Sequence, residues 1–245
     1  MDEEYYLTEE QRIRLEIEKE EKKKLKKEAG RRWRWLRGAA IAGLILLVVI
    51  FLLIRQWEKS QDMHRKPVIY LYPEETAEVF VRLELDGELT TTYPKYQDGW
   101  HVTAEPDGTL TDAAGMTYNY LYWEGKSAVE YDMSAGFCVK GCDTAEFLEK
   151  ALSELGLTRR EANEFIVYWL PLMENNNYNV ISFQTEAYAE SAKLIVSPKP
   201  DAMIRVYMAW YGSDKPVKLQ NQDLSSMERK GFTVVEWGGS EIHPR

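Results

Sequence analysis

The chain has 245 residues, 44% of them hydrophobic and 12% aromatic, and a net charge of −9. Residues 1–37 hold 12 Lys/Arg against 10 Asp/Glu, which leaves −11 on the remainder. A body this acidic excludes nucleic acid as the expected partner, because phosphate backbones are held by clustered Lys and Arg.

Residues 9–28 read as a very polar helix. Thr8 to Gln11 forms a capping box, and Gly30 is the expected stop. Ile13, Leu15 and Ile17 make no continuous apolar stripe, so no coiled coil is encoded. The sequence predicts a charged, cytoplasmic helical segment over 1–37 whose basic end meets anionic lipid headgroups.

Gly38–Ile54 then reads GAAIAGLILLVVIFLLI, without a charge or a proline. Roughly 17–25 apolar residues, at about 1.5 Å each, cross the hydrocarbon core of a bilayer. Trp33, Trp35 and Trp57 stand where interfacial aromatics are expected. A buried core helix would keep a polar face, so a transmembrane helix over 38–57 is the reading. Lys22, Lys23, Lys24, Lys26, Lys27, Arg31, Arg32, Arg34 and Arg37 precede the run. Arg55 and Lys59 follow it, mixed with Glu58 and Asp62. That asymmetry predicts a single-pass protein of the cell membrane, N-terminus in the cytoplasm and the long C-terminal part outside. RQWEKSQDMHR offers no small-x-small cleavage site, so the run reads as an uncleaved signal anchor. The pairs Gly38/Ala42 and Ala39/Gly43 allow close helix pairing and hence a homodimer through the anchor.

After a juxtamembrane linker over 58–66, residues 67–245 read as one extracytoplasmic domain. Pro67–Tyr72 is a β-prone run between prolines. Ala77–Leu85 alternates, with Val79, Val81, Leu83 and Leu85 on one face. Asp86-Gly87 signals a hairpin into Glu88–Tyr93. Trp100–Ala104 and Met116–Trp123 are further strands, separated by the turn Pro106-Asp107-Gly108. The period then changes. Asp143 to Glu146 and Thr158 to Glu161 are capping boxes opening two helices, with Gly156 between them and Pro171 ending or kinking the second. Tyr178–Gln184, Ile204–Tyr211 and Phe232–Trp237 are strands again. The predicted class is α+β: a mainly antiparallel sheet or sandwich with an inserted helical pair.

The chemistry-bearing residues are few. HExxH, GxSxG and a Gly-rich phosphate loop are all missing from the sequence. Cys138 and Cys142 suit a disulfide outside the cytoplasm or remain free thiols. A zinc site would need two more ligands, and none of His64, His101 and His243 stands at ligand spacing from them. No cofactor is implied. Glu124 follows Tyr122-Trp123 and Glu236 precedes Trp237, so each acid lies beside an aromatic able to desolvate it. A pair of such acids could act as general acid and base, or serve only in salt bridges. Tyr118, Tyr120 and Tyr122 recur at period two on one predicted strand face. Such a row stacks on sugar rings or a peptide, or pairs across strands within the sheet.

The stretches KPVIYLYP (Lys66–Pro73), PDGTL, YLYWEG, FLEKALSELGLTRREANEFIVYWLP and GFTVVEWGG together resemble a group of uncharacterised bacterial membrane-anchored proteins. Related stretches occur in some fungal proteins. The resemblance covers nearly all of 65–240 and implies no activity, cofactor or site residue. Three functions stay open: an anchored binding or envelope-associated module, an anchored hydrolase using carboxylates on an envelope polymer, and a signalling subunit with a cytoplasmic partner.

Overall fold

The computed structural model describes residues 9–59 and 62–242, leaving aside the side chains of 10–12, 29–32, 34, 38–42, 53–59 and 62. Thr8, with its expected capping box, and His243 lie outside the described residues. The chain divides into two units, Met1–Lys59 and Ser60–Arg245.

The first unit is one helix, α1, Glu9–Lys59. It runs through Gly30, the expected stop. One glycine costs a helix interior only about 1 kcal/mol, and the neighbouring Lys, Glu, Arg and Ala residues are strong helix formers. Among the described residues, no helix is long and apolar enough to cross a membrane. Within the apolar run the described side chains are those of Gly43–Leu52.

The second unit is α+β. In chain order its elements are β1 (Asp62–Tyr72), β2 (Ala77–Leu85), β3 (Gly87–Tyr93), β4 (Trp100–Ala104), β5 (Leu110–Thr111), β6 (Thr117–Tyr118), β7 (Leu121–Ser127) and β8 (Phe137–Lys140). Then come α2 (Thr144–Glu154), α3 (Arg159–Met173), β9 (Tyr178–Phe183), α4 (Thr185–Ser191), β10 (Ala192–Ser197), β11 (Ala202–Ser213) and β12 (Thr233–Glu241). A seven-stranded sheet has the order β3-β7-β1-β12-β11-β9-β8, and a five-stranded sheet the order β10-β2-β4-β5-β6. β11 and β12 run parallel; the other strand pairs are antiparallel.

The central strands of the seven-stranded sheet are covered on both faces. Val68, Tyr70, Val206, Met208, Val235 and Trp237 pack with Leu148, Leu152, Phe165 and Trp169 of α2 and α3. Ile69, Leu71, Leu121, Trp123 and Val234 pack with Val79, Val81, Trp100 and Val102 of the smaller sheet. Burial on both faces explains why VIYLY and VVEW are continuous rather than alternating runs. β2 faces one core only and alternates as expected.

Two turn residues act differently from the sequence reading. Asp86-Gly87 closes no hairpin, because β2 pairs with β4 and β10 while β3 pairs with β7. The chain changes sheets there. Gly87 lies so near β7 that an added Cβ would stand 2.0 Å from the Lys126 carbonyl oxygen, and only glycine permits that approach. Met116–Trp123 is likewise not one strand: Tyr118 closes β6 of the small sheet and Leu121 opens β7 of the large one.

Of the two capping boxes, only Thr158/Glu161 closes. The Thr158 hydroxyl accepts the Glu161 N–H, and Glu161 accepts the Thr158 N–H at 2.7 Å. Asp143 makes no side-chain cap, because a 3-10 turn at Gly141–Asp143 leads directly into α2. α3 continues through Pro171 to Met173. Phe165 is fully buried between α3 and the sheet, edge-on to Trp237 at 5.2 Å. Phe165→Ala should therefore cost about 3–5 kcal/mol in denaturant unfolding; a negligible loss would contradict this packing.

Candidate functional site

Glu236 sits in the middle of β12 with its side chain between the two sheets, fully buried. Its Oε1 accepts the Trp123 indole N–H at 3.1 Å and the Tyr188 hydroxyl at 2.8 Å. Its Oε2 accepts Nε and Nη2 of Arg205, both at 2.6 Å. Arg205 also donates to the Ala192 carbonyl and lies over the Tyr188 ring. A buried charge survives only when paired and hydrogen-bonded, and this carboxylate has a cation and two further donors. Burial, then the Glu236 charge, pushes the Tyr188 hydroxyl far above its usual range.

A second buried chain adjoins it. The Ser240 hydroxyl donates to the Met63 carbonyl at 2.8 Å, so its oxygen accepts from Tyr207 at 2.6 Å. The Tyr207 proton is then used, and its oxygen accepts from His64 Nδ1 at 2.5 Å. Nε2 is left to accept from Ser127 at 2.7 Å. This assigns His64 as the neutral Nδ1-H tautomer. Serine beside histidine resembles half of a nucleophilic device, but both side chains are sealed from solvent and no carboxylate stands on Nδ1. Burial, then the Arg205 charge, holds His64 down at about 4.

Glu124 is half-buried on β7 and accepts the Lys66 backbone N–H at 3.3 Å. It shares the face of Tyr122, on the side of the helices, whereas Glu236 contacts Trp123 and Tyr188 between the sheets. The two acids thus project from opposite faces of one sheet and cannot flank one substrate bond. Lys66 is the one described non-glycine residue with positive φ, +55°, at the irregularity where β1 shifts register between Arg65 and Val68. Its ammonium lies over the rings of Tyr120 and Tyr168 at 5.4 and 5.6 Å. Burial, then the Glu124 charge, raises both Tyr122 and Tyr168.

The three expected tyrosines do not form one row. Tyr118 belongs to the small sheet, where its hydroxyl donates to Asp112 and its ring meets Tyr93 edge-on at 5.4 Å. Tyr120 packs against Tyr70. Tyr118 and Tyr120 line one open cleft of about 380 Å³ with Tyr93, Thr109, Thr117 and Asn119; Tyr122 does not. A cleft of about 700 Å³ runs beside the segment 222–227, but Gln222 and Arg205 on its walls are already bonded to protein groups. Cys138 and Cys142 are free thiols; Cys138 Sγ accepts the Val217 N–H, and Cys142 donates to Asp143. Among the described residues, no group of three or more His, Cys, Asp and Glu is placed to hold a metal ion.

Sequence reading overlooked His64, Ser127, Tyr188, Arg205, Tyr207 and Ser240. One signal was available: an arginine inside the otherwise apolar strand AMIRVYMAW needs a buried partner. Tyr93 and Asn119 carried no signal, because they reach the cleft through the two changes of sheet.

The chain matches no protein-family profile and no solved structure. It is similar to an uncharacterized protein in the bglA 3′ region of Butyrivibrio fibrisolvens, 48% identical over 63 residues, which is 24% of this chain. The chain spans 65% of that relative's length.

Two outcomes follow from the buried network. Glu236→Gln leaves the Arg205 charge uncompensated and should cost about 3–5 kcal/mol in chemical unfolding. A loss under 1 kcal/mol would show the pair to be dispensable. For His64 the folded value of about 4 lies below the unfolded value near 6.5, so the unfolded chain takes up the proton first. Its contribution is complete above pH 6.5 and is lost as pH falls towards 4, by about 3 kcal/mol. His64→Gln should remove that component when unfolding midpoints at pH 7.5 and 4.5 are compared; an unchanged pH dependence would refute the assignment.

Proposed function

We propose that this chain is a single-pass membrane-anchored protein with a cytoplasmic N-terminus, whose second unit is an extracytoplasmic binding module. The supporting observation lies on α1. Each of Leu44–Leu52 is 43–64% exposed, and these nine consecutive residues cover every side of the helix. A helix that is apolar all round needs an apolar surrounding on all sides, which lipid supplies. With its flanking residues the run reaches 38–57, long enough for a bilayer. The basic excess before it orients the chain, and the same basic flank meets anionic headgroups. Binding is favoured over carboxylate hydrolysis because Glu124 and Glu236 lie on opposite faces of the sheet and Glu236 is sealed.

Cys142 is exposed and reports the topology. After treatment with a membrane-impermeant reductant, a membrane-impermeant maleimide should label Cys142 in intact cells, and Cys142→Ser should abolish most of the label. Labelling only after permeabilisation would overturn the orientation.

A further inference from the structure

We propose that the cleft between Tyr93, Tyr118 and Tyr120 binds an uncharged saccharide chain. This deepens the binding-module reading and rests on it. The cleft lies where two sheet margins meet: Tyr93 ends β3, the edge strand of the large sheet, and Tyr118 ends β6, the edge strand of the small one. Its volume, about 380 Å³, falls within the range of small-molecule clefts.

Its rings are held before any ligand arrives. Asp112 fixes the Tyr118 hydroxyl at 2.8 Å and is itself fixed by the N–H groups of Ala114 and Met116. Tyr120 is held edge-on by Tyr70 at 5.3 Å and from above by Lys66. Tyr93 is 61% exposed and braced by Tyr118. Fixed aromatic rings offer a stacking surface at small ordering cost.

Between the rings stand the Thr109 and Thr117 hydroxyls and the Asn119 carboxamide. The Thr109 side chain is hydrogen-bonded to Asp107; among the described residues the Thr117 hydroxyl and the Asn119 carboxamide have no such bond, and their donors and acceptors are left for a ligand. Every lining side chain is uncharged. A pyranose matches both properties at once: an apolar C–H face for the tyrosines and hydroxyls for the Asn119 amide and the Thr117 hydroxyl. An ionic ligand would find no charged side chain on the lining itself, and the charges beside it, Lys66 and Asp112, are already in contact with the hydroxyls of Tyr120 and Tyr118.

The test uses the full chain in lipid nanodiscs, free of glycosidic detergent, titrated calorimetrically with cello-, laminari-, xylo-, manno- and chitohexaose. At least one should bind. Tyr93→Ala, at an exposed position, should weaken that binding about fivefold or more, the scale of one lost ring contact. Asn119→Ala should weaken it about threefold or more, the scale of a hydrogen bond. Both variants should keep the thermal transition. The proposal is overturned if none of the five hexasaccharides binds, if both variants bind as well as the parent, or if N-acetyl-tetra-alanine amide binds in their place. Membrane orientation is read separately by the maleimide label, so a failed titration and a failed topology are told apart.

Discussion

The centre of the seven-stranded sheet has no free face. With helices on one side and a second sheet on the other, its central strands β1 and β12 are buried at both parities, which is why their sequences are so apolar. Any polar side chain on them must find its partners inside the protein. Glu236 finds Arg205, Tyr188 and Trp123; His64 finds Tyr207 and Ser127. Each of these groups would be costly alone. Together they fix which face of β11 and β12 looks towards the small sheet, since Arg205 and Glu236 must meet across the parallel pair.

That constraint also decides where ligands can reach. Chemistry buried in the inter-sheet layer is closed to them. What remains is the margin, where strands end and the chain passes between sheets. The passages at Asp86-Gly87 and Asn119-Tyr120 bring β3 and β6 to a common border, and tyrosines from both stand there. The Lys66 bulge adds its ammonium behind Tyr120. The local geometry is strained, with a left-handed lysine directly before Pro67, a conformation that persists only when its surroundings hold it in place. Glu124 does so by accepting the lysine N–H.

Much of the fold was legible in the sequence, for physical reasons. β2 declared itself because only one of its faces is buried. α3 did so because Thr158 and Glu161 complete a reciprocal cap. The α+β class followed from the change of period at Thr144. Other features were hidden. α4, TEAYAES, is too short for its pattern to register. β8 and β10 are short edge strands whose pairing comes from partners far along the chain. β1 starts at Asp62 rather than Pro67, because His64, ahead of the proline, is closed by buried hydrogen bonds to Tyr207 and Ser127 instead of apolar contact. The site was half legible: Tyr118 and Tyr120 were singled out on a strand that does not exist, and they meet because of the break in it. Glu124 and Glu236 looked alike beside their aromatics. Which face each occupies depends on sheet pairing, which local sequence does not encode.

The position of β12 bears on how the domain comes into being. It is the fourth strand across a sheet of seven and the last of them to be synthesised. Until it emerges, β3-β7-β1 and β11-β9-β8 are two half-sheets, each ending in an unpaired row of N–H and C=O groups along an apolar strand. Such edges invite pairing with other chains. The large sheet of the nascent domain therefore stays incomplete until this last strand is made. Closure arrives as a single late event, when one segment fills the gap and joins both halves.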